Sequence, residues 1–165
     1  MKEFSPQQIE QTKRFFKGRG FPVEESQIDG LQVSYYVIPQ AINPGLQDFA
    51  LRMTSTDLAT KEVSGIFGVS DSVPAKLRPY WAAHEVIEFT QIGINEKGRC
   101  ALAEEKVIGL VPSELRDEYI NRRITFFGNL VNYFRADAAN YDQDDIEEAA
   151  GVIDKLQKYL QNKLK

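Results

Sequence analysis

Cysteine and histidine each occur once in a chain of 165 residues. The lone Cys100 excludes an internal disulfide framework and fits a reducing compartment. It reads as a small buried hydrophobe, because no basic residue lies helically beside it to hold a thiolate. With His84 the sole imidazole, a Ser-His-Asp arrangement would have to use it, and the Gly-x-Ser-x-Gly turn of a serine nucleophile is missing. Long apolar runs are missing too: none approaches the roughly 20 residues that span a bilayer. Met1-Lys2-Glu3-Phe4-Ser5-Pro6 lacks the apolar stretch of a signal peptide, so a cytoplasmic location is expected. Basic charge is not in excess. Lys and Arg number 20 against 24 Asp and Glu, a net charge of −4, which gives no electrostatic reason to expect nucleic acid or an anionic membrane as partner. Val63-Ser64-Gly65-Ile66-Phe67-Gly68 has no Lys-Ser/Thr pair and is not a phosphate loop. Repeats, low-complexity tracts and linkers are absent. What is there is 42% apolar and 27% charged, the composition of a soluble globular chain. One domain over residues 1–165, with its own core, is expected; oligomer formation is left open.

The chain is organised around the stretch from Pro79 to Gly93, which reads as a helix that starts at a Pro and stops at a Gly. Ala82, Val86 and Phe89 share one side, Ala83 and Ile87 another, so the helix is apolar nearly all round and expected to be buried. One narrow stripe is polar. His84, Glu88 and Gln91 stack one above another, flanked by Tyr80, Leu77 and Trp81, with Glu85 beside Trp81.

Ser5 and Pro6 open a first helix as N-cap and N1, with Ile9 and Phe16 inward and Gly18 or Gly20 at its end. Val23 to Ile28 and Leu31 to Ile38 flank Asp29-Gly30, the strongest short-range hairpin signal. The first arm, with Glu24, Glu25, Ser26 and Gln27, is polar enough to be an edge strand. Asn43-Pro44 signals a second helix with Leu46, Phe49, Ala50 and Met53 on its inner face. Ser64 to Ser70 reads as a third strand. After the central helix, Arg99 to Leu110 and Glu114 to Arg135 read as helices separated by Pro112-Ser113. A last helix follows, with Ile146, Ala149, Ile153, Leu156 and Leu160 as its stripe. The fold class is therefore α+β: a small antiparallel sheet, hairpin plus one strand, in the N-terminal half, packed on a helical C-terminal half. Trp81, Val86, Phe89, Leu102, Ile120, Phe127 and Leu130 are expected to be buried.

Charges fall where apolar residues belong. Glu104 sits within the face defined by Cys100, Val107, Ile108 and Val111. Arg116 and Arg123 sit within the face of Leu115, Tyr119, Ile120, Phe126, Phe127, Leu130 and Phe134. A buried charge is costly unless paired or bound to a metal, and arginine grips a carboxylate with two hydrogen bonds. A buried cluster of His84, Glu88, Glu104 and Arg123, with Arg116, Glu85, Gln91 and Tyr80 near it, reconciles these placements.

His84-Glu85-Val86-Ile87-Glu88 resembles the His-Glu-x-x-His helix of zincin-type metallopeptidases, in particular the gluzincin branch, which takes a third ligand, a Glu, from the next helix. Glu88 stands where the family has its second histidine. The resemblance implies His84, Glu88 and Glu104 as ligands of a divalent cation, zinc or manganese, and Glu85 as general base. Two classes of function follow. One is a non-catalytic binding or interaction module built on a structural His/Glu/Arg network. The other is a zincin-like metal-dependent hydrolase, or an inactive relic of one.

Overall fold

The computed structural model describes residues 3–60, 63–93 and 95–163. Helix α1 (Pro6–Gly18) begins at a capping box: Ser5 Oγ accepts from the Gln8 amide at 3.2 Å, and the Ser5 amide donates to Gln8 Oε1 at 2.9 Å. Two N–H groups that the first turn leaves orphaned are thereby satisfied. Strands β1 (Val23–Ile28) and β2 (Leu31–Ile38) pair antiparallel through a tight turn with Asp29 at φ 47° and Gly30 at φ 82°. Positive φ at both central residues is the geometry that suits Asp-Gly. Along β2, Val33, Tyr35 and Val37 are buried while Gln32 and Ser34 are exposed. β1 is an edge, as its polarity requires.

Strands β3 (Ala50–Thr56) and β4 (Val63–Ser70) complete a four-stranded sheet in the order β1-β2-β4-β3. The α+β arrangement expected from the sequence is present. Its sheet has a strand more than expected and is mixed, since β2 and β4 run parallel. At Gly65 β4 leaves no room for a side chain against β3: a Cβ there would lie 2.5 Å from the Met53 carbonyl oxygen.

The helix signalled by Asn43-Pro44 is not formed; residues 43–49 make turns and Ala50–Thr56 is β3. The reason is local competition for backbone hydrogen bonds. Gln40 Nε2 donates to the carbonyls of Asn43 (2.9 Å) and Leu46 (2.8 Å), and Gln40 Oε1 accepts from the Asp48 amide at 3.1 Å. Ser72 Oγ donates to Asp48 Oδ1 at 2.7 Å, and Asp48 itself sits at φ 58°. Side chains thus take the carbonyls and amide that a helix would pair. The same knot reaches the next layer, because Trp81 Nε1 donates to the Asp48 carbonyl at 3.0 Å.

Helix α2 (Arg78–Ile87) lies between the sheet and helices α3 (Arg99–Leu110), α4 (Ser113–Ala136) and α5 (Gln143–Lys163). It packs on β2 and β4 on one side and on α3 on the other, and its Trp81 meets the Tyr119 and Phe126 rings of α4. Trp81, Val86, Phe89, Ile120 and Phe127 are buried, and Leu130 is half-buried. Leu102 is 40% exposed, against expectation. It lies two residues from buried Glu104, about 200° around the helix, and so faces away from the core. The N-terminal arm touches the far sheet edge, where the Phe4 amide donates to the Thr54 carbonyl at 3.0 Å. No helix among the described residues is long and apolar enough to cross a membrane.

Candidate functional site

The end of α2 departs from regular geometry at the residue that matters most. Glu88–Ile92 forms a single π turn, closed by the Gly93 amide donating to the Glu88 carbonyl at 2.8 Å, with Gly93 at φ 104°. Such widened turns recur at functional sites. His84 and Glu88 remain one turn apart, with His84 Nε2 3.1 Å from Glu88 Oε2.

Helix α3 is brought alongside by a side chain of α5. Glu148 Oε1 accepts from the Gly98 amide at 2.6 Å and Oε2 from the Cys100 amide at 3.2 Å. A carboxylate at that position satisfies orphaned amides and faces the positive end of the helix dipole. The cap places Arg99 and Cys100 beside Glu88. Arg99 Nε lies 3.6 Å from Glu88 Oε1, while Cys100 Sγ lies 3.5 Å from His84 Nε2 and donates to Glu88 Oε2 at 3.6 Å. Arg52 of β3 approaches from the sheet, its Nη1 3.8 Å from Glu88 Oε1.

One turn further along α3, Glu104 is fully buried and reaches the other imidazole nitrogen, with His84 Nδ1 2.7 Å from Glu104 Oε2. Arg123 of α4 holds that carboxylate, donating from Nε at 3.2 and 3.3 Å and from Nη2 at 3.0 Å. Its guanidinium is stacked among aromatic faces, 4.6 Å from the centroids of both Trp81 and Phe127. The charges alternate along the chain of contacts Arg123, Glu104, His84, Glu88, and then Arg52 and Arg99. That alternation is what makes their joint burial tolerable.

Proton affinities follow the neighbours. Burial opposes a charge on His84, but the Glu104 carboxylate beside Nδ1 opposes that effect, and the imidazole is raised well above its ordinary value. Burial works against ionised Glu88 as well, and the His84 hydrogen bond and charge, with Arg52 and Arg99, bring it below the ordinary range. Desolvation and the nearby Glu88 push the Cys100 thiol up to about 12, so it is protonated at neutral pH. For Glu104 burial is outweighed by the charges of Arg123 and His84, and its pKa falls to about 2.

The cluster forms one end of a cavity of about 580 Å³. His84, Glu85, Glu88, Arg52, Arg99 and Cys100 line that end; Phe16, Leu46, Phe49, Leu51, Phe126 and Phe134 supply apolar wall, and Asp145 and Glu148 add two further carboxylates to the lining. The volume is within the usual range for small-molecule sites. Three buried nitrogens at the polar end, Arg52 Nη1, Arg99 Nε and His84 Nδ1, make no hydrogen bond among the described residues, although each lies within ion-contact distance of a carboxylate.

The structure brings together four residues expected from the sequence: His84, Glu88, Glu104 and Arg123. Glu104 is on the Nδ1 side of His84, away from Glu88, so it does not share a ligand position with the other two. Glu85 is half-buried, with its carboxylate 4.0 Å from Arg52 Nε. The remaining three lie outside the cluster. Arg116 donates to the Val111 carbonyl at 3.0 Å, Gln91 is exposed and accepts from Lys106 Nζ at 3.3 Å, and Tyr80 packs its ring against Tyr119. Four contributors were not read from the sequence. Arg52 was hidden by the helix reading of its segment, and Arg99 and Glu148 carry no local signal of inward placement. Cys100 is the exception: it lies one turn before Glu104, on the same helical face. No protein-family profile, curated protein or solved structure matches this chain.

Glu104 gives the site a definite pH dependence. Its folded pKa is depressed from 4.5 to about 2. Its contribution to stability is therefore complete above the ordinary carboxylate pKa and is lost as pH falls through the folded value. The shift corresponds to about 3 kcal/mol. In urea melts between neutral pH and about pH 2, wild type is expected to lose about 3 kcal/mol more than Glu104→Gln. Identical acid limbs for the two proteins would contradict this.

Proposed function

We propose that this chain is a binding module for a small, largely apolar molecule with a hydrogen-bond-accepting end, in the simplest case a carboxylic acid. The observation that carries the reading is the pair of guanidinium donors, Arg52 Nη1 and Arg99 Nε, which lie 3.8 and 3.6 Å from Glu88 Oε1 without hydrogen-bonding to any described residue, at the charged end of a mainly apolar cavity. A buried donor left without a partner costs free energy that an incoming acceptor recovers. The apolar walls supply the rest of the affinity by removing hydrocarbon from water.

Retention without chemical change fits the same residues. Both His84 nitrogens are in contact with carboxylates and the Cys100 thiol is protonated, so no group is poised as a nucleophile or base. The hydrolase reading has less support, because Glu85 leans towards Arg52 and Glu104 is held by Arg123.

The test uses cis-parinaric acid, a fluorescent long-chain fatty acid, and its methyl ester. Saturable one-to-one binding of the acid is expected, weakened about ten-fold or more by Arg99→Met, as for loss of a charged hydrogen bond. Leu46→Trp, which enlarges a buried side chain of the cavity wall, should abolish binding. Absence of saturable binding to wild type, or equal affinity in Leu46→Trp, overturns the proposal.

A further inference from the structure

Among the described residues, His84, Glu88 and Cys100 form the one group of three His, Cys, Asp or Glu side chains whose ligand atoms are close enough to share an ion. Their geometry is specific. The triangle His84 Nε2, Glu88 Oε2, Cys100 Sγ has edges of 3.1, 3.5 and 3.6 Å. Tetrahedral zinc, with bonds of about 2.0 Å to nitrogen and oxygen and about 2.3 Å to sulfur, requires edges of about 3.3 Å between nitrogen and oxygen and about 3.6 Å to sulfur. The three atoms are already at those separations. A second feature is independent of the triangle: His84 Nδ1 lies 2.7 Å from Glu104 Oε2, an ion contact not aligned as a hydrogen bond, and Arg123 fixes that carboxylate. A carboxylate behind the non-ligating nitrogen orients metal-binding histidines and raises their basicity.

We propose that His84 Nε2, Glu88 Oε2 and Cys100 Sγ are the protein ligands of a zinc ion, with Glu104 as a positioning residue and the fourth coordination position facing the cavity. All three ligands line that cavity, so the open position is accessible to water or solute. The thiolate selects zinc over manganese, which prefers oxygen ligands. Binding forms three dative bonds, and the thiol proton, with any proton on Nε2, goes to solvent. The site differs from the ligand set implied by the zincin resemblance, because Cys100 takes the place given there to Glu104. It goes beyond the binding-module reading and does not require an organic molecule in the cavity.

The test is metal binding to the full chain, with zinc affinity from competition against a chromophoric chelator and ligand identity from cobalt(II) substitution. One metal per chain is expected, with the visible bands of tetrahedral cobalt and a near-ultraviolet thiolate-to-cobalt charge-transfer band. The chain has one cysteine, so that band reports Cys100 alone. Cys100→Ala, a small change that should leave the fold intact by circular dichroism, is expected to remove the band and weaken zinc at least ten-fold. Glu104→Gln should weaken zinc ten- to a hundred-fold while keeping the band. Wild-type binding without the charge-transfer band, no stoichiometric binding, or unchanged affinity in Cys100→Ala overturns the proposal. Leu46→Trp should keep zinc and lose parinaric acid, and Cys100→Ala the reverse, so the two readings fail separately.

Discussion

Arg123→Met is expected to destabilise the protein by about 3–5 kcal/mol, the cost of removing one partner from a buried ion pair. Arg123 and Glu104 are both essentially inaccessible, and three donor–acceptor contacts of 3.0–3.3 Å join them. Methionine keeps most of the packing against Trp81 and Phe127, so the loss isolates the charge. Glu104 is then left ionised, in a dry site, with His84 as its remaining counter-charge. Against a total stability of about 5–15 kcal/mol, such a change brings the protein near the edge of folding. Adding Glu104→Met in the same chain should recover part of the loss, because two apolar side chains tolerate the interior better than one orphaned carboxylate. Urea melts of the two single variants and the double variant give the coupling energy. An Arg123→Met loss below about 1 kcal/mol would mean that the carboxylate finds water or another cation, and that the pair is not the centre of the cluster.

Phe127→Ala is expected to cost about 3–5 kcal/mol, as for other buried aromatics cut to alanine. The ring is 1% exposed, with its centroid 5.2 Å from Phe126 and 5.9 Å from the His84 ring. It also forms one of the two closest aromatic faces on the Arg123 guanidinium. Collapse into the vacated space is restricted, because the neighbours are held by ionic contacts and the void opens onto an existing cavity. The upper half of the range is therefore expected. Leu102→Ala, at an exposed position on α3, is the control and should stay within about 0.5 kcal/mol. Equal losses at the two positions in denaturant melts would contradict the burial assigned to Phe127.

Helical phase accounts for most of what the sequence makes legible. Arg99–Leu110 and Ser113–Ala136 are bounded by residues with clear stop and start chemistry, and their inner faces follow from spacing. The same spacing places His84, Glu88, Glu104 and Arg123 inward. Local rules fail where distant residues decide. Asn43-Pro44 is a sound helix start taken by itself, but Gln40, Asp48 and Ser72 form a knot whose members come from both sides of β3 and β4. Arg52 joins the cluster only because that knot turns its segment into a strand. Glu148 joins it across a sequence separation of 50 residues, which no periodicity encodes. Which imidazole nitrogen meets which carboxylate is likewise a tertiary fact, and it decides whether Glu104 is a ligand or a support.

The order β1-β2-β4-β3 leaves two outer strands, and each is guarded in its own way. An unguarded outer strand is a template on which a second copy of the chain can add and grow into a fibre. On β1 the guard is charge: exposed Glu25 makes an incoming copy of the same strand repulsive, while Glu24 is tied to Arg78 at 3.1 Å and to the Tyr35 hydroxyl at 2.8 Å. On β3 the guard is occupancy, because the Phe4 amide already takes the Thr54 carbonyl. The N-terminal arm that looks like a mere lead-in to α1 thus helps to keep the sheet from recruiting others of its kind.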